Sequence, residues 1–326
     1  MIRALLGACS LAVLSFAPAH ANDSEAGLTA GGLVLRQNDQ IEMRKEKLYL
    51  SQEQVLVDYV FFNHGTSDQK ITVAFPMPPI IGWGADPGMA VNYPFTDNGQ
   101  FADNFMDFRV QVDGTSISPE LEQRAFLGDT EIGDRLKALD LPLAPVGKVV
   151  EDAVKALSQD VRDANADLFD ETGAPKWELR STYYWEQTFP AGAPLRVSHG
   201  YRPVLGHRLL SASELTRDNT ALATYCPERD FLTGGRKMAN AAGSETTTGI
   251  VMGTDLSYVL RTGANWRGPI GKFTLTVEKP DAKSLVSFCS ENVRKMSATR
   301  FQVEVENFDP KSDLNVLWLS PVQAAD

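Results

Sequence analysis

The stretch Phe273-Thr274-Leu275-Thr276-Val277-Glu278 decides the fold class, because apolar and polar side chains alternate along it without interruption. The same alternation recurs in Phe301–Glu306 and, earlier in the chain, in Val55–Phe61. Strict alternation places one face of a strand on the core and the other in water, which is typical of antiparallel sheets. Two such sheets packed face to face form a sandwich. The sequence therefore predicts a mainly β protein with an antiparallel β-sandwich framework.

Strand patterns extend outward from these segments in both directions. Towards the N-terminus, alternating runs fill much of residues 32–76, and another strand is expected at residues 105–112. In the middle of the chain, residues 183–189 and 195–201 flank the turn Pro190-Ala191-Gly192, and we expect them to form a hairpin. Strands are thus predicted in both halves of the chain.

One region departs from the strand pattern. Ser118-Pro119-Glu120 has the order of an N-cap residue, a helix-first proline and a first-turn acid. Lys148–Glu171 carries apolar side chains at helical spacing, with charged residues on the other face. We therefore expect a helical insertion at residues 119–171 that lies on the β framework. A helix on a membrane surface usually has a basic polar face, whereas this one is mainly acidic.

The chain is expected to comprise three parts. Residues 1–21 are interpreted as a signal peptide, residues 22–210 as an N-terminal β-sandwich unit that carries the insertion, and residues 211–326 as a C-terminal β-rich unit. Short helices are predicted near the start of the C-terminal unit, at Ser211–Leu215 and Pro227–Ala239. Whether the two β units share sheets is left open by the sequence.

The first residues have the layout of a secretory signal peptide. A basic start at Met1–Arg3 and an apolar run at Leu5–Phe16 precede Ala19-His20-Ala21, which matches the small-x-small cleavage pattern. Cleavage between Ala21 and Asn22 would yield a periplasmic or secreted protein. The apolar run is shorter than the roughly 20 residues that a membrane-spanning helix needs. Cys9 resembles a lipid-attachment site, but most of the apolar run follows it, which favours ordinary cleavage.

Composition and charge exclude several protein classes. The 326 residues include 31 basic and 42 acidic side chains, for a formal charge of −11, with 43% hydrophobic and 22% charged residues. These proportions are usual for globular proteins and exclude a disordered, collagen-like or coiled-coil chain. The acidic excess argues against nucleic acid or an anionic membrane surface as the main partner, since both attract basic proteins. No segment after the signal peptide is long and apolar enough to span a membrane.

Two cysteines remain after removal of the signal peptide, Cys226 and Cys289. An oxidising compartment and an even count favour a disulfide between them, with a pair of buried free thiols as the alternative. A catalytic redox role is not expected, because the chain has no Cys-x-x-Cys motif. Closing a loop of about 60 residues would contribute up to about 4 kcal/mol.

The sequence lacks the common catalytic and metal-binding motifs. It has no Gly-x-Ser-x-Gly, His-Glu-x-x-His, Gly-x-x-x-x-Gly-Lys or Gly-x-Gly-x-x-Gly. The oxygen-rich segment 97–107 does not match the spacing of a calcium loop and is interpreted as a polar loop. His199 and His207 could meet, but a metal site needs a third ligand. We therefore expect no catalytic residue, no metal and no cofactor.

Trp185, Glu186 and Trp266 are the candidate ligand-binding residues. Glu186 follows Trp185 in the aromatic run Tyr183–Phe189, and aromatic faces stack on sugars. Aromatic residues in such a run are more often core residues and cross-strand partners in a sheet. Trp266 lies in Gly263–Gly271, which we predict as a hairpin loop between two strands. This loop is either a recognition loop or one whose tryptophan folds back over the end of the sheet.

Several segments share their pattern with a known family. They are Gly31–Leu35 with Ile41-Glu42-Met43, Val57–Asn63, Ala74–Pro78, Tyr184–Pro190, Tyr258–Trp266 continuing to Pro269-Ile270, and Leu285–Cys289. Together they resemble the bacterial secreted family catalogued as domain of unknown function 4424, over nearly all of the chain after the signal peptide. The resemblance implies an exported protein of Gram-negative-type bacteria and supplies no catalytic residues.

Binding is therefore expected rather than catalysis. A large scaffold without a recognisable reactive constellation favours an exported, non-enzymatic binding or envelope-associated protein, whose partner is an envelope component or a glycan. The alternative is a carbohydrate- or cell-wall-directed binding protein or hydrolase that uses Glu186 and the neighbouring aromatic residues.

Overall fold

The computed structural model describes residues 24–29, 32–84, 90–92, 104–243, 249–260 and 265–322. The predicted signal peptide and its cleavage site lie outside these residues. Within them, no helix has the length and apolar character needed to cross a lipid bilayer.

The described residues form twenty strands, four α-helices and two short 3-10 helices. The strands are β1 (Ser24–Thr29), β2 (Gly32–Arg36), β3 (Ile41–Leu50), β4 (Val55–Asn63), β5 (Gln69–Pro76), β6 (Ile80–Ile81), β7 (Ala90–Asn92), β8 (Arg109–Val112), β9 (Thr115–Ile117), β10 (Glu120–Leu127), β11 (Thr130–Glu131), β12 (Glu178–Phe189), β13 (Pro194–Tyr201), β14 (Leu205–Ser211), β15 (Ile250–Tyr258), β16 (Ile270–Glu278), β17 (Leu285–Phe288), β18 (Arg294–Lys295), β19 (Arg300–Phe308) and β20 (Leu314–Pro321). The α-helices are α1 (Gly133–Ala138), α2 (Lys148–Ala156), α3 (Gln159–Ala164) and α4 (Arg229–Ala242), and the 3-10 helices are Ala166–Leu168 and Thr220–Tyr225.

The strands form three sheets. Sheet A has the order β11-β10-β12-β5-β1-β2, with β6 beside β12. Sheet B has the order β18-β19-β16-β3-β4-β13-β8-β9, and sheet C the order β17-β20-β15-β14-β7. Among the described strand pairs, only β3 and β16 run parallel, in the middle of sheet B. The prediction of a mainly β, largely antiparallel fold is confirmed.

Sheet B packs against both other sheets. Alternate residues of β4 are buried, as the sequence pattern predicts. Phe61 of this strand contacts Phe189 of sheet A with ring centroids 5.6 Å apart, and Tyr59 Oη lies 3.4 Å from Tyr258 Oη of sheet C. These side chains belong to one hydrophobic core, to which strands on both sides of residue 210 contribute. The division of the chain at residue 210 stays a prediction.

The two predicted hairpins connect different sheets, so both hairpin predictions are wrong. β12 lies in sheet A and β13 in sheet B, while β15 lies in sheet C and β16 in sheet B. Asn63 holds the β12–β13 turn: its Nδ2 donates to Phe189 O at 2.9 Å, and its backbone carbonyl accepts from Gly192 N at 3.0 Å. A strand alternates in the same way whether the next strand lies beside it or faces it across the sandwich. Alternation therefore cannot distinguish a hairpin within one sheet from a connection between two facing sheets.

The predicted helix start at Ser118-Pro119-Glu120 is also wrong. Glu120–Leu127 forms β10, which pairs with β12 along seven residues. Tyr184 on β12 donates from its hydroxyl to Glu120 Oε2 at 2.7 Å. Pairing with an established strand satisfies the backbone of this segment, and this tertiary interaction outweighs the local capping signal.

The helical stripe predicted over Lys148–Glu171 is present, but it is divided into shorter helices. Leu157 is extended after α2, and Ser158 caps α3 by accepting a hydrogen bond from Val161 N at 3.4 Å. Val150, Val154 and Leu168 of the stripe are buried, whereas Val161 is half-buried and Ala164 is exposed. The three buried residues belong to a separate hydrophobic cluster that also includes Trp177, just before β12.

Helix α4 packs on sheet C and lies beside the disulfide. It covers most of the predicted helix Pro227–Ala239, whereas Ser211–Leu215 forms the end of β14 and a turn rather than a helix. In that turn Glu214 Oε2 accepts hydrogen bonds from the backbone N and the hydroxyl of Ser211. The predicted disulfide is present: Cys226, before α4, joins Cys289, after β17, with an S–S distance of 2.06 Å.

Candidate functional site

Trp185 and Trp266, two of the three candidates from the sequence, lie in the main hydrophobic core. Trp185 is 6% exposed, and its Nε1 has no hydrogen-bond partner within the described part of the chain. Trp266 is 1% exposed, and its ring centroid lies 4.9 Å from that of Phe61 and 5.9 Å from that of Phe189. Of the two alternatives for Trp266, this packing favours the tryptophan that folds back over the sheets. Part of its loop, residues 263 and 264, lies outside the described residues.

Glu186 faces away from Trp185, because neighbouring residues of a strand point to opposite faces. Its side chain is 63% exposed and pairs with Lys70, with an Nζ–Oε2 distance of 2.6 Å. An exposed pair of this kind typically contributes less than about 1 kcal/mol. The structure therefore does not assemble the three candidate residues into one site, and their role in binding a glycan stays a prediction.

The histidines and the oxygen-rich segment have structural partners. His207 Nδ1 lies 3.2 Å from Thr254 Oγ1 in sheet C, while His199 lies in sheet B with its ring 4.5 Å from that of Phe75. In the oxygen-rich segment, residues 97–103 lie outside the described residues, and Asn104 Oδ1 accepts from the Tyr183 hydroxyl at 2.6 Å. No group of three or more His, Cys, Asp or Glu among the described residues could hold a metal ion.

A cleft beside Trp83 is the best candidate for a ligand site. It has a volume of about 360 Å³ and lies between the segment after β6, helix α2 and the loop that leads into β12. Its lining consists of Trp83, Pro145, Val146, Gly147, Val150, Glu151, Val154, Lys155, Arg162, Thr172, Gly173, Ala174 and Pro175. We call it the Trp83 cleft. Mainly apolar walls with a few polar groups are typical of small-molecule sites.

Two glycines hold Trp83 in place. Gly82 N donates to Trp177 O and Gly84 N donates to Pro175 O, both at 2.9 Å. A Cβ at Gly82 would lie 2.8 Å from Trp177 O, and one at Gly84 would lie 3.0 Å from Pro175 O. The two backbones approach this closely because neither glycine has a side chain. Trp83, between the two glycines, is therefore displayed from a firmly attached segment, and it is 61% exposed.

Helix α2 and the segment before it supply the apolar wall. Val150 and Val154 lie on the inner face of α2 and are almost fully buried. Trp177 is fully buried, and its Nε1 donates to Leu143 O at 2.9 Å. This bond attaches the segment before α2 to the residue that directly precedes β12. Since Trp177 O also accepts from Gly82 N, Trp177 connects both walls of the cleft.

The charged groups of the cleft are only partly paired. Lys155 Nζ lies 3.9 Å from Glu151 Oε2, at the limit of an ion pair. Arg162 has no carboxylate within ion-pair distance among the described residues, and its Nε is shielded from water without a hydrogen-bond partner. A charged donor left in this state costs more than a neutral one, for which the penalty is about 1–3 kcal/mol. The cleft thus contains one guanidinium group that lacks an acceptor.

A turn centred on Asp170 forms the remaining wall. Asp170 Oδ1 accepts from the hydroxyl and backbone N of Thr172 and from Ala174 N, at 2.7 to 2.8 Å. The hydrogen bond from the Thr172 hydroxyl, followed by that from Ala174 N, lowers the pKa of the Asp170 carboxyl below its ordinary value of 3.8. Gly173 completes the turn with a φ of +86°, which favours glycine.

Trp83 and Arg162 were not among the residues singled out from the sequence. A local signal for Trp83 exists, since a large aromatic residue between two glycines shortly after Pro78-Pro79 is unusual for a strand. Arg162 carries no such signal: it is one of many charged residues in the helical stripe, and only the break at Leu157 and Ser158 brings it to the cleft.

Two further clefts follow the Trp83 cleft in a row along the segment before α2, each bordering the next. One of about 250 Å³ shares Val146 and Val150 with it, and another of about 550 Å³ shares Leu143 with the first. Val149, which is 47% exposed, lies in the smaller one. Another cleft of about 580 Å³ lies on sheet B beside Leu56 and Arg109. The Trp83 cleft differs from these in having an exposed tryptophan.

Comparisons with known proteins identify the family but not a ligand. A Legionella pneumophila structure described as a "putative nutrient binding protein" shares 14% identity, covers 92% of this chain and 70% of its own, and has a TM-score of 0.44. An M1 zinc metallopeptidase from Deinococcus radiodurans shares 8% identity, covers 86% and 43%, and has a TM-score of 0.25. At these TM-scores neither similarity indicates a function, and no curated protein matches the chain. The family model "Domain of unknown function (DUF4424)" matches residues 21–317, and the chain therefore belongs to the DUF4424 family.

Proposed function

We propose that the protein is an exported, non-enzymatic binding protein that holds a small ligand in the Trp83 cleft. The observation that carries the proposal is the exposure of Trp83. The chain has five tryptophans, of which Trp83 is 61% exposed while the other four are at most 6% exposed. Exposing an indole to water is unfavourable, and a rigidly displayed aromatic ring beside an apolar cleft is typical of a binding surface.

Export is supported by the disulfide, which is usual for proteins of oxidising compartments. The family resemblance and the signal-peptide pattern at residues 1–21 support the same localisation, periplasmic or secreted.

The chemistry of the cleft supports binding rather than catalysis. Its hydroxyl group belongs to Thr172, and this hydroxyl is donated to Asp170. An activated nucleophile would need an effective base beside it. The lowered pKa of Asp170 makes its carboxylate a weak base, which does not suit it for that role.

A panel of ligands tests the proposal. Amino acids, organic acids, oligosaccharides and peptidoglycan fragments are added separately to the purified protein and to Trp83→Ala, and the melting temperatures are measured. A ligand at about 100 times its Kd stabilises the folded state by about 2.7 kcal/mol. A ligand that stabilises the natural protein but not Trp83→Ala supports the cleft. A ligand that stabilises both equally places the site elsewhere, and a panel without any effect contradicts small-ligand binding.

A carbohydrate- or cell-wall-directed function is the second candidate. It is supported by the three bordering clefts, which together offer a longer path than one small molecule fills. Under this alternative, longer oligosaccharides bind more tightly than short ones, and Val149→Asp weakens only the longer ligands. The hydrolase form of the alternative predicts that Glu186→Gln removes turnover of a cell-wall substrate while the melting temperature stays unchanged.

A further inference from the structure

We infer that the ligand of the Trp83 cleft is an organic acid with an apolar body, whose single carboxylate is bound by Arg162. This inference rests on the proposed function and adds the chemical class of the ligand.

The state of Arg162 is the first observation. Among the described residues, Arg162 is the arginine whose side chain contains a nitrogen that is both shielded from water and without a hydrogen-bond partner. Arg162 also lines the cleft, where its side chain is half-buried. Several other arginines have carboxylate partners, such as Arg135, which binds both carboxylate oxygens of Asp167 at 2.7 Å. A carboxylate from a ligand would give Arg162 the acceptor that the described residues do not supply.

The net charge of the cleft indicates how many negative charges the ligand carries. Among the lining residues, Lys155 and Arg162 are positive and Glu151 is negative, so the lining carries one net positive charge in a chain whose formal charge is −11. The Asp170 carboxylate is not a lining group, and it already accepts hydrogen bonds from Thr172 and Ala174. One carboxylate neutralises this excess. A phosphate monoester carries about −1.5 to −2 charges near neutral pH and would leave the cleft negative. The balance therefore favours a monocarboxylate over a phosphorylated compound.

The other lining residues indicate the chemistry of the uncharged part of the ligand. The lining includes the buried apolar residues Val146, Val150, Val154 and Pro175, and the exposed indole of Trp83 lies at the same cleft. A volume of about 360 Å³ is at the lower end of the range for small-molecule sites. An aliphatic or aromatic chain of modest length fits such a space, whereas a strongly hydroxylated body would leave its polar groups without partners along the valines.

Matched probes test the inference. We would measure the Kd of 4-phenylbutyrate, of its uncharged amide and of phenyl phosphate by calorimetry, on the natural protein, Arg162→Gln, Arg162→Lys and Arg229→Gln. Arg229 is exposed at the start of α4, away from the cleft, and is the matched control. We expect the carboxylate to bind at least about tenfold more tightly than the amide, because a hydrogen bond to a charged group contributes about 1.5–3 kcal/mol. This preference is expected to persist in Arg229→Gln, to disappear in Arg162→Gln and to be reduced in Arg162→Lys, which keeps the charge but loses the guanidinium geometry.

Each other outcome overturns the inference in a recognisable way. Equal affinity for the carboxylate and the amide would refute the carboxylate and leave the proposed binding cleft intact, provided that Trp83→Ala abolishes both. Tighter binding of phenyl phosphate would show that the cleft prefers a dianion. An unchanged preference in Arg162→Gln would assign the charge recognition to another residue. Absence of binding by all three probes would overturn the inference, whereas the proposed function falls only if the broader ligand panel also has no effect. Melting curves of the variants confirm that they are folded.

Discussion

Replacing Gly82 by alanine is expected to detach Trp83 from its support. The new Cβ would lie 2.8 Å from Trp177 O and closer still to Pro175 O, whereas an ordinary contact is 3.4 Å or longer. Restoring that contact to Trp177 O alone requires a shift of about 0.6 Å, which lengthens the 2.9 Å bond from Gly82 N beyond the usual limit of about 3.2 Å. The bond from Gly84 N to Pro175 O, also 2.9 Å, belongs to the same contact between the two segments.

Two backbone hydrogen bonds are thus at risk, each contributing about 0.5–1.5 kcal/mol. The expected loss of unfolding free energy in Gly82→Ala is therefore about 1–3 kcal/mol. For a chain of this size that corresponds to a fall of a few degrees in melting temperature, at about 2 °C per kcal/mol. Urea titration gives the free energy, and iodide quenching reports how exposed Trp83 becomes.

Gly133→Ala is the matched control for this change. A Cβ at Gly133 would meet its nearest atom, Leu143 Cδ2, at 3.7 Å, which is an ordinary contact. Because Gly133 begins α1, alanine is expected to be neutral or to stabilise the protein slightly. If Gly82→Ala and Gly133→Ala had the same stability and the same quenching as the natural protein, the argument that close backbone approach positions Trp83 would be refuted.

Three further predictions concern the elements around the cleft and the C-terminal half. Replacing Cys226 and Cys289 together by serine is expected to lower the unfolding free energy by up to about 4 kcal/mol, because the disulfide closes a loop of 63 residues; unchanged urea unfolding would argue against the bridge. Trp177→Phe is expected to cost about 2–4 kcal/mol, since it leaves Leu143 O without its donor and opens a gap in a fully buried site, and a loss below about 1 kcal/mol would contradict this. The Asp170 carboxyl has a lowered pKa in the folded protein, so its stabilising effect is present above its ordinary pKa of 3.8 and is lost as the pH falls through the lower folded value. The difference in unfolding free energy between the natural protein and Asp170→Ala, measured by urea titration, should therefore shrink below that pH. A difference that grew as the pH fell would contradict a lowered pKa.

Strand formation could be predicted from the sequence, whereas strand partners could not. Alternation in Val55–Phe61 and Phe273–Val277 identified β4 and β16, since a half-buried strand imposes a period of two. The parallel pairing of β16 with β3 joins segments more than 200 residues apart, and nothing local encodes it. The same limit explains why segments on either side of a short turn were expected to be neighbours in one sheet.

The helical insertion shows how tertiary context overrides a local signal. The apolar stripe in Lys148–Glu171 correctly indicated that Val150, Val154 and Leu168 are buried, whereas Ala164, at the end of α3, is exposed. Its division at Leu157 depends on how the segment closes over Trp177, which lies beyond the stripe in sequence. β10 adopts strand structure for a similar reason, because β12 offers it a hydrogen-bonding edge.

The candidate site could be predicted less well than the fold. Aromatic residues in strands were the most conspicuous signal, and burial of Trp185 and Trp266 accounts for that signal by packing alone. The exposed tryptophan occurs in a short glycine-flanked segment without any period. Its proximity to Arg162 follows from tertiary structure, since the two residues are far apart in the chain and meet only at the cleft.

Quenching of tryptophan fluorescence by iodide tests the central claim most directly. In the free protein one of five tryptophans is exposed, so quenching should be confined to a fraction that disappears in Trp83→Phe. A ligand that raises the melting temperature is expected also to protect this fraction from iodide, with half-protection at the Kd. A ligand that binds and stabilises the protein while the quenching of Trp83 stays unchanged would contradict the assignment of the binding site to the Trp83 cleft.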